Sequence, residues 1–67
     1  MIISVNGAPL EVPKETNLST LLSMLKVDRP AGIAVALNET VVPRNDWEKM
    51  HMQPNDQVLI IRATQGG

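Results

Sequence analysis

The chain has no cysteine, no tyrosine and no phenylalanine, and Trp47 is its single aromatic residue. Lacking cysteine, it has no disulfide staple, no thiolate metal ligand and no thiol nucleophile of its own. A reducing compartment fits that composition, and a cytoplasmic location is the expectation. Six basic residues are scattered among seven acidic ones, for a net charge of -1. With no basic cluster and almost no rings to stack on bases, binding to nucleic acid is not expected. No basic segment leads into an apolar run near Met1, and no stretch reaches the length of a membrane span. Neither a signal peptide nor a membrane anchor is therefore expected.

Catalytic groupings are missing as well. His51 has no second ligand at metal spacing, so a metal site is not expected. Glu11, Glu15, Glu39 and Glu48 are dispersed and show no paired-carboxylate arrangement. A chain of 67 residues has room for one core, so residues 1–67 read as a single domain. A domain of that size buries only roughly 60% of its unfolded surface, which makes each apolar side chain count.

What the sequence does contain is clear periodicity. Ile3 and Val5 alternate with Ser4 and Asn6, the mark of a strand. Asn6-Gly7 is the strongest short hairpin signal, because both residues tolerate positive φ. The return strand runs Ala8 to Val12 with Leu10 and Val12 inward, and Pro9 and Pro13 suit an edge or a strand end. Thr16 reads as a helix N-cap, followed by Leu18, Leu21, Leu22 and Leu25 on one face of about three turns. The segment Val27-Asp28-Arg29-Pro30 stops that helix, since a residue before proline leaves the helical region.

Strand character returns over Ile33–Leu37, with a turn at Asn38-Glu39 and a short strand at Val41-Val42 ended by Pro43. Asn45 or Asp46 is placed to cap a short helical turn carrying Trp47 and Met50. Trp47 fits beneath it as a core plug, and Met24, Met50 and Met52 fit as gap fillers. Pro54-Asn55-Asp56 is a turn in which Asn55 takes the left-handed conformation. Gln57 to Arg62 forms the last strand. This order predicts a small α+β roll, a mixed sheet of about four to five strands packed on one amphipathic helix. If the last strand lies in the middle beside the first, Val58 and Ile60 face the helix and Leu59 and Ile61 face outward.

Two candidate sites follow. The first is the tail, residues 63–67, ending in Gly66-Gly67. Glycine leaves the backbone beside a terminal carboxylate unhindered, so such a tail can thread a narrow channel and present its carboxyl group for reaction. A disordered terminus is the plain alternative. The second is the outward face, where Leu59 and Ile61 sit beside Ala34 and Ala36 as a shallow apolar patch suited to a partner. Arg62 is a further candidate, placed to meet an acidic groove as the tail enters it, and Arg44 a weaker one.

Asn6-Gly7, Thr16 with Leu21-Leu22, Ala36-Leu37-Asn38, Val42-Pro43-Arg44 with Trp47, Asp56 to Ile60 and Gly66-Gly67 occur in an order and spacing that together carry a resemblance. The chain resembles the thiamine-biosynthesis sulfur carrier family, ThiS, within the ubiquitin-like β-grasp fold, over its whole length. One departure is Asn55-Asp56, where the family often has Gly-Asp; asparagine is a good substitute for glycine in a left-handed turn.

The resemblance implies a protein cosubstrate rather than an enzyme, with no bound cofactor and a monomeric free form. It implies that an E1-like (ThiF-like) adenylyltransferase uses ATP to join the Gly67 carboxylate to AMP. A persulfide from a cysteine desulfurase or a relay then supplies sulfur, and a C-terminal thiocarboxylate is consumed by a ThiG-like thiazole synthase. Gly67 would carry the sulfur and Gly66 would give access to it. The small subunit of molybdopterin synthase is the nearest alternative, with length favouring the thiamine branch. A ubiquitin-like protein modifier and a passive binding module are alternatives of another class.

Overall fold

In the computed structural model, residues 1–26 and 32–62 are described. The expected stop at Val27-Asp28-Arg29-Pro30 and the tail of residues 63–67 lie outside them. Strand β1 spans Ile2–Val5 and β2 spans Ala8–Glu11. Helix α1 spans Leu18–Met24, β3 spans Ile33–Leu37, β4 spans Thr40–Val41 and β5 spans Gln57–Arg62. A 3₁₀ turn at Arg44–Asp46 lies between β4 and β5.

The five strands form one mixed sheet in the order β2-β1-β5-β3-β4. β5 is central, as its doubly apolar sequence requires. It runs parallel to β1 through Ser4↔Gln57 and Val5↔Val58, and antiparallel to β3 from Leu37↔Val58 to Ile33↔Arg62. The proline-bearing β2 takes one edge, where a missing N–H costs no ladder bond.

Turn chemistry sets the registers. Asn6 and Gly7 have φ of 50° and 85°, and Asn38 and Glu39 have φ of 50° and 72°, the positive pair that a two-residue hairpin needs to match the strand twist. Asn55, at φ 69°, is left-handed as the sequence predicts. Its N–H donates to the Ile2 carbonyl, while the Ser4 N–H donates to the Asp56 carbonyl. The turn before β5 is thereby stitched to β1.

One face of the sheet meets α1. Ile3, Val12, Val35 and Val58 from the strands pack with Leu18, Leu21 and Leu22 from the helix. Met52, Val42 and Trp47 close the side. Leu18 and Leu21 have no exposed surface, and full burial of such a side chain contributes roughly 1.5–3 kcal/mol. The Trp47 indole N–H donates to the Val42 carbonyl at 2.9 Å, so the one large ring is buried with its polar atom satisfied.

Several expectations are corrected. The helix N-cap is Asn17, whose Oδ1 accepts the Thr20 N–H at 2.7 Å. The Thr16 hydroxyl instead donates to the Pro13 carbonyl. Asn17 prevails because its Nδ2 also reaches the Glu48 carbonyl and its backbone bridges to His51. The helix has seven residues, about two turns rather than three. It ends because Lys26 turns left-handed at φ 59°, which leaves Leu25 as the C-cap and 37% exposed.

Neither Asn45 nor Asp46 caps the next turn; it starts at Pro43 without a side-chain cap. β4 sits one residue earlier than expected, at Thr40–Val41, although the Val42 N–H still bonds to the Val35 carbonyl. β2 ends at Glu11, with Val12 buried beyond it. Met52 is buried and Met50 partly so, but Met24 lies on the solvent side of α1 and is 44% exposed.

Candidate partner face

The outer face of the sheet is built by pairs directly opposite one another. Leu59 of β5 faces Ala36 of β3, and Ile61 faces Ala34. Ala36 in turn faces Val41 of β4. Directly opposed residues share a sheet face, so these five side chains form two short apolar rows. Leu59 is 48% exposed, Ile61 52% and Val41 67%. Ala34 is exposed and Ala36 half-buried, and their small size leaves the larger flanking side chains raised around a shallow floor.

Val41 is a member of this face that the sequence reading passed over. It was legible in the register: a two-residue turn at Asn38-Glu39 pairs Leu37 with Thr40 and Ala36 with Val41.

The strand carrying Leu59 and Ile61 is held from both sides by polar side chains. Asn38 accepts the Gln57 N–H through Oδ1 and donates through Nδ2 to Asp56 Oδ1, both at 2.9 Å. Asp56 is buried, and its other oxygen accepts the Gln53 N–H at 2.6 Å. On the β1 side, the Asn6 N–H donates to the Val58 carbonyl, and Asn6 Oδ1 accepts the Ile60 N–H at 2.8 Å. That side chain continues the parallel ladder past the end of β1, so the start of the exposed half of β5 is still tied on both edges. The sequence marks Asn6 as a turn residue and carries no sign of this second task.

Arg62 does not join the patch. It is exposed and pairs with Ile33, which packs against the core, so it lies in the helix-side register with Val58 and Ile60. Arg44 is exposed at the start of the 3₁₀ turn. Gly66 and Gly67 lie outside the described residues. Among the described residues no three His, Cys, Asp or Glu side chains group to hold a metal ion, and His51 is exposed. Also among them, no helix is long and apolar enough to cross a membrane.

A mixed five-stranded sheet with one helix in this order is the β-grasp architecture. The family model described as the ThiS family matches residues 3–67. The chain belongs to the ThiS family. It is 33% identical over 67 residues to the sulfur carrier protein ThiS of Escherichia coli (strain K12), with all of both chains covered. The crystal structure of the thiamine biosynthesis protein ThiS from Geobacter metallireducens superposes with a TM-score of 0.87 at 32% identity, again over all of both chains. An NMR solution structure of a thiamine biosynthesis protein from the same organism gives 0.81 at 30% identity, covering all of this chain and 88% of the other. The fold is thus a shared ThiS framework, while about two-thirds of the positions differ from each of these relatives.

Proposed function

We propose that this ThiS-family chain is a sulfur carrier for thiamine biosynthesis, a protein cosubstrate whose C-terminal carboxylate is activated and sulfurated by partner enzymes. The observation that carries the reading is the central β5 strand. It presents Leu59 and Ile61 on an open apolar face, and in sequence it is followed at once by the five residues that end in Gly66-Gly67. Full-length similarity to a relative named as a sulfur carrier supports it.

The chemistry follows from the carboxylate. An α-carboxyl group with a pKa of roughly 3.5 is an anion at neutral pH and a poor electrophile. Its oxygen attacks the α-phosphorus of ATP on an E1-like enzyme, releasing pyrophosphate and forming an acyl adenylate at Gly67. A persulfide sulfur then attacks the acyl carbon and AMP leaves. A second thiol cleaves the resulting S–S bond, giving the thiocarboxylate and a disulfide on the relay. Thiazole synthase takes the sulfur and returns the carboxylate. In this scheme the chain supplies a recognisable handle and an unhindered terminus, and ATP belongs to the activating enzyme.

Pyrophosphate exchange into ATP by the adenylating enzyme tests the first step. The unsubstituted chain should support exchange, and Gly67→Ala should reduce it at least tenfold, because a Cβ crowds the carboxylate in a narrow channel. Equal exchange by the two chains would contradict the channel-threading role of Gly67.

A further inference from the structure

The β3–β4 turn holds a residue its backbone does not favour. Both positions of a two-residue hairpin of this kind have positive φ, and the second is normally glycine, as Gly7 is in the β1–β2 turn. Glu39 occupies that second position at φ 72° and bears the steric cost of its Cβ. Asn38, beside it, is accounted for by its bonds to Gln57 and Asp56. Glu39 is exposed, so its side chain is open to a use outside the fold.

Its surroundings suggest the use. Glu39 lines a depression of about 360 Å³ on the outer sheet face, with Ala36 and Leu59 of the apolar patch among the walls. Asn6 and Gln57 contribute amide groups, and among the described residues Glu39 is the only ionisable one in the lining. One carboxylate above an apolar floor complements a long cationic side chain. The methylenes of such a side chain lie along Leu59 and Ala36, and its head group pairs with the carboxylate.

We propose that this depression receives a lysine or arginine side chain of the activating enzyme, and that Glu39 orients the docked pair. The inference rests on reading the outer face as that enzyme's landing surface. A partner that covers Leu59 and Ala36 also covers the depression they wall. Rim charges of this kind act chiefly on encounter rate and register.

Calorimetric titration of the chain with its E1-like adenylating enzyme tests the pairing. Glu39→Gln keeps the size and the strained turn and removes the charge. It should weaken binding about three- to fivefold at low ionic strength, the scale of an exposed ion pair. The difference should close at about 1 M salt, where exposed charges are screened. Glu39→Gly should lose the same affinity while its melting temperature rises, which separates binding from folding. Low-salt binding by Glu39→Gln as tight as that of the unsubstituted chain would overturn the proposal, and so would a loss that persists undiminished at high salt. An enzyme that binds the chain but never adenylates it would contradict the sulfur-carrier reading alone, with the affinities still deciding on Glu39. An unsubstituted chain that the enzyme does not bind would overturn both.

Discussion

Val58 and Leu59 are neighbours in the central strand with similar side chains and opposite surroundings. Val58 is 3% exposed and touches the helix-side core; Leu59 is 48% exposed and touches only the shallow outer face. In a sheet, successive residues point to opposite sides, so a strand apolar at every position either is covered twice or offers one face to something else. Among the described residues there is a single α-helix, α1, and it covers one side. The apolar character of Leu59, Ile61 and Val41 has no use in the fold that a polar residue would not serve as well. The inner face holds the core together, and among the described residues the outer face is uncovered, which is why the proposed function has another protein read it.

The strongest way to break that contrast is to place a charge on each face in turn. Val58→Asp buries an unpaired carboxylate, a penalty of several kcal/mol. That is comparable with the whole stability of a small domain, about 5 kcal/mol. The expected result is loss of the native circular dichroism and of the Trp47 fluorescence signature. Leu59→Asp should leave both spectra and the melting temperature nearly unchanged. It should weaken binding to the adenylating enzyme at least tenfold, the effect of truncating an anchor near the centre of an interface. Unchanged affinity with an intact fold would remove the outer face from the account.

Smaller changes sharpen the boundary between the two roles. Asn6→Gly keeps a residue able to turn at φ 50° and deletes the acceptor for the Ile60 N–H. A loss of about 1 kcal/mol is expected. Amide hydrogen exchange should report it, with Ile60 accelerated more than Val35 in the neighbouring strand. Equal acceleration of both would mean that the side chain acts on the whole fold rather than on the exposed half of β5. Lys26→Gly should have the least effect. Relief of a left-handed residue at φ 59° gains roughly 1–2 kcal/mol and glycine's extra chain entropy returns part of it. The net is about 0.5 kcal/mol, or a melting temperature about 2–4 °C higher. Binding should not change, since Lys26 follows the helix and takes no part in the outer face.

Much of this was legible before any coordinates. The alternation in β5, the hairpin signals at Asn6-Gly7 and Asn38-Glu39 and the left-handed Asn55 are local rules with strong physical causes, and they fix the strand faces and most registers. The outward placement of Leu59 and Ile61 beside Ala34 and Ala36 follows from them. Less legible were features decided by competition between near-equal local choices. Thr16 and Asn17 are both good caps, and the latch of Asn17 to Glu48 and His51, 31 and 34 positions away in sequence, settles the matter. Leu25 continues the leucine stripe, yet the left-handed Lys26 beside it ends the helix and leaves Leu25 as an exposed C-cap. The second task of Asn6 joins residues 54 positions apart, and no local pattern carries such a contact. Arg62 follows Ile61 directly in sequence, yet the two-residue period of a strand puts it on the side opposite the patch, which agrees with reading it as a separate candidate.

The central claim concerns chemistry at one atom pair, and intact mass reads it most directly. The protein would be purified from its own cells, treated with a thiol-directed alkylating agent and weighed whole, and the label then mapped by peptide. Exchanging oxygen for sulfur nearly equals the mass of an added oxygen on one of the four methionines, so alkylation is what distinguishes them. The chain has no cysteine to take the reagent. The account predicts one label, on the peptide that contains Gly66-Gly67. An unlabelled free acid, even after incubation with ATP, the adenylating enzyme and a persulfide donor, would contradict it, and isopeptide-linked adducts would point to a modifier instead.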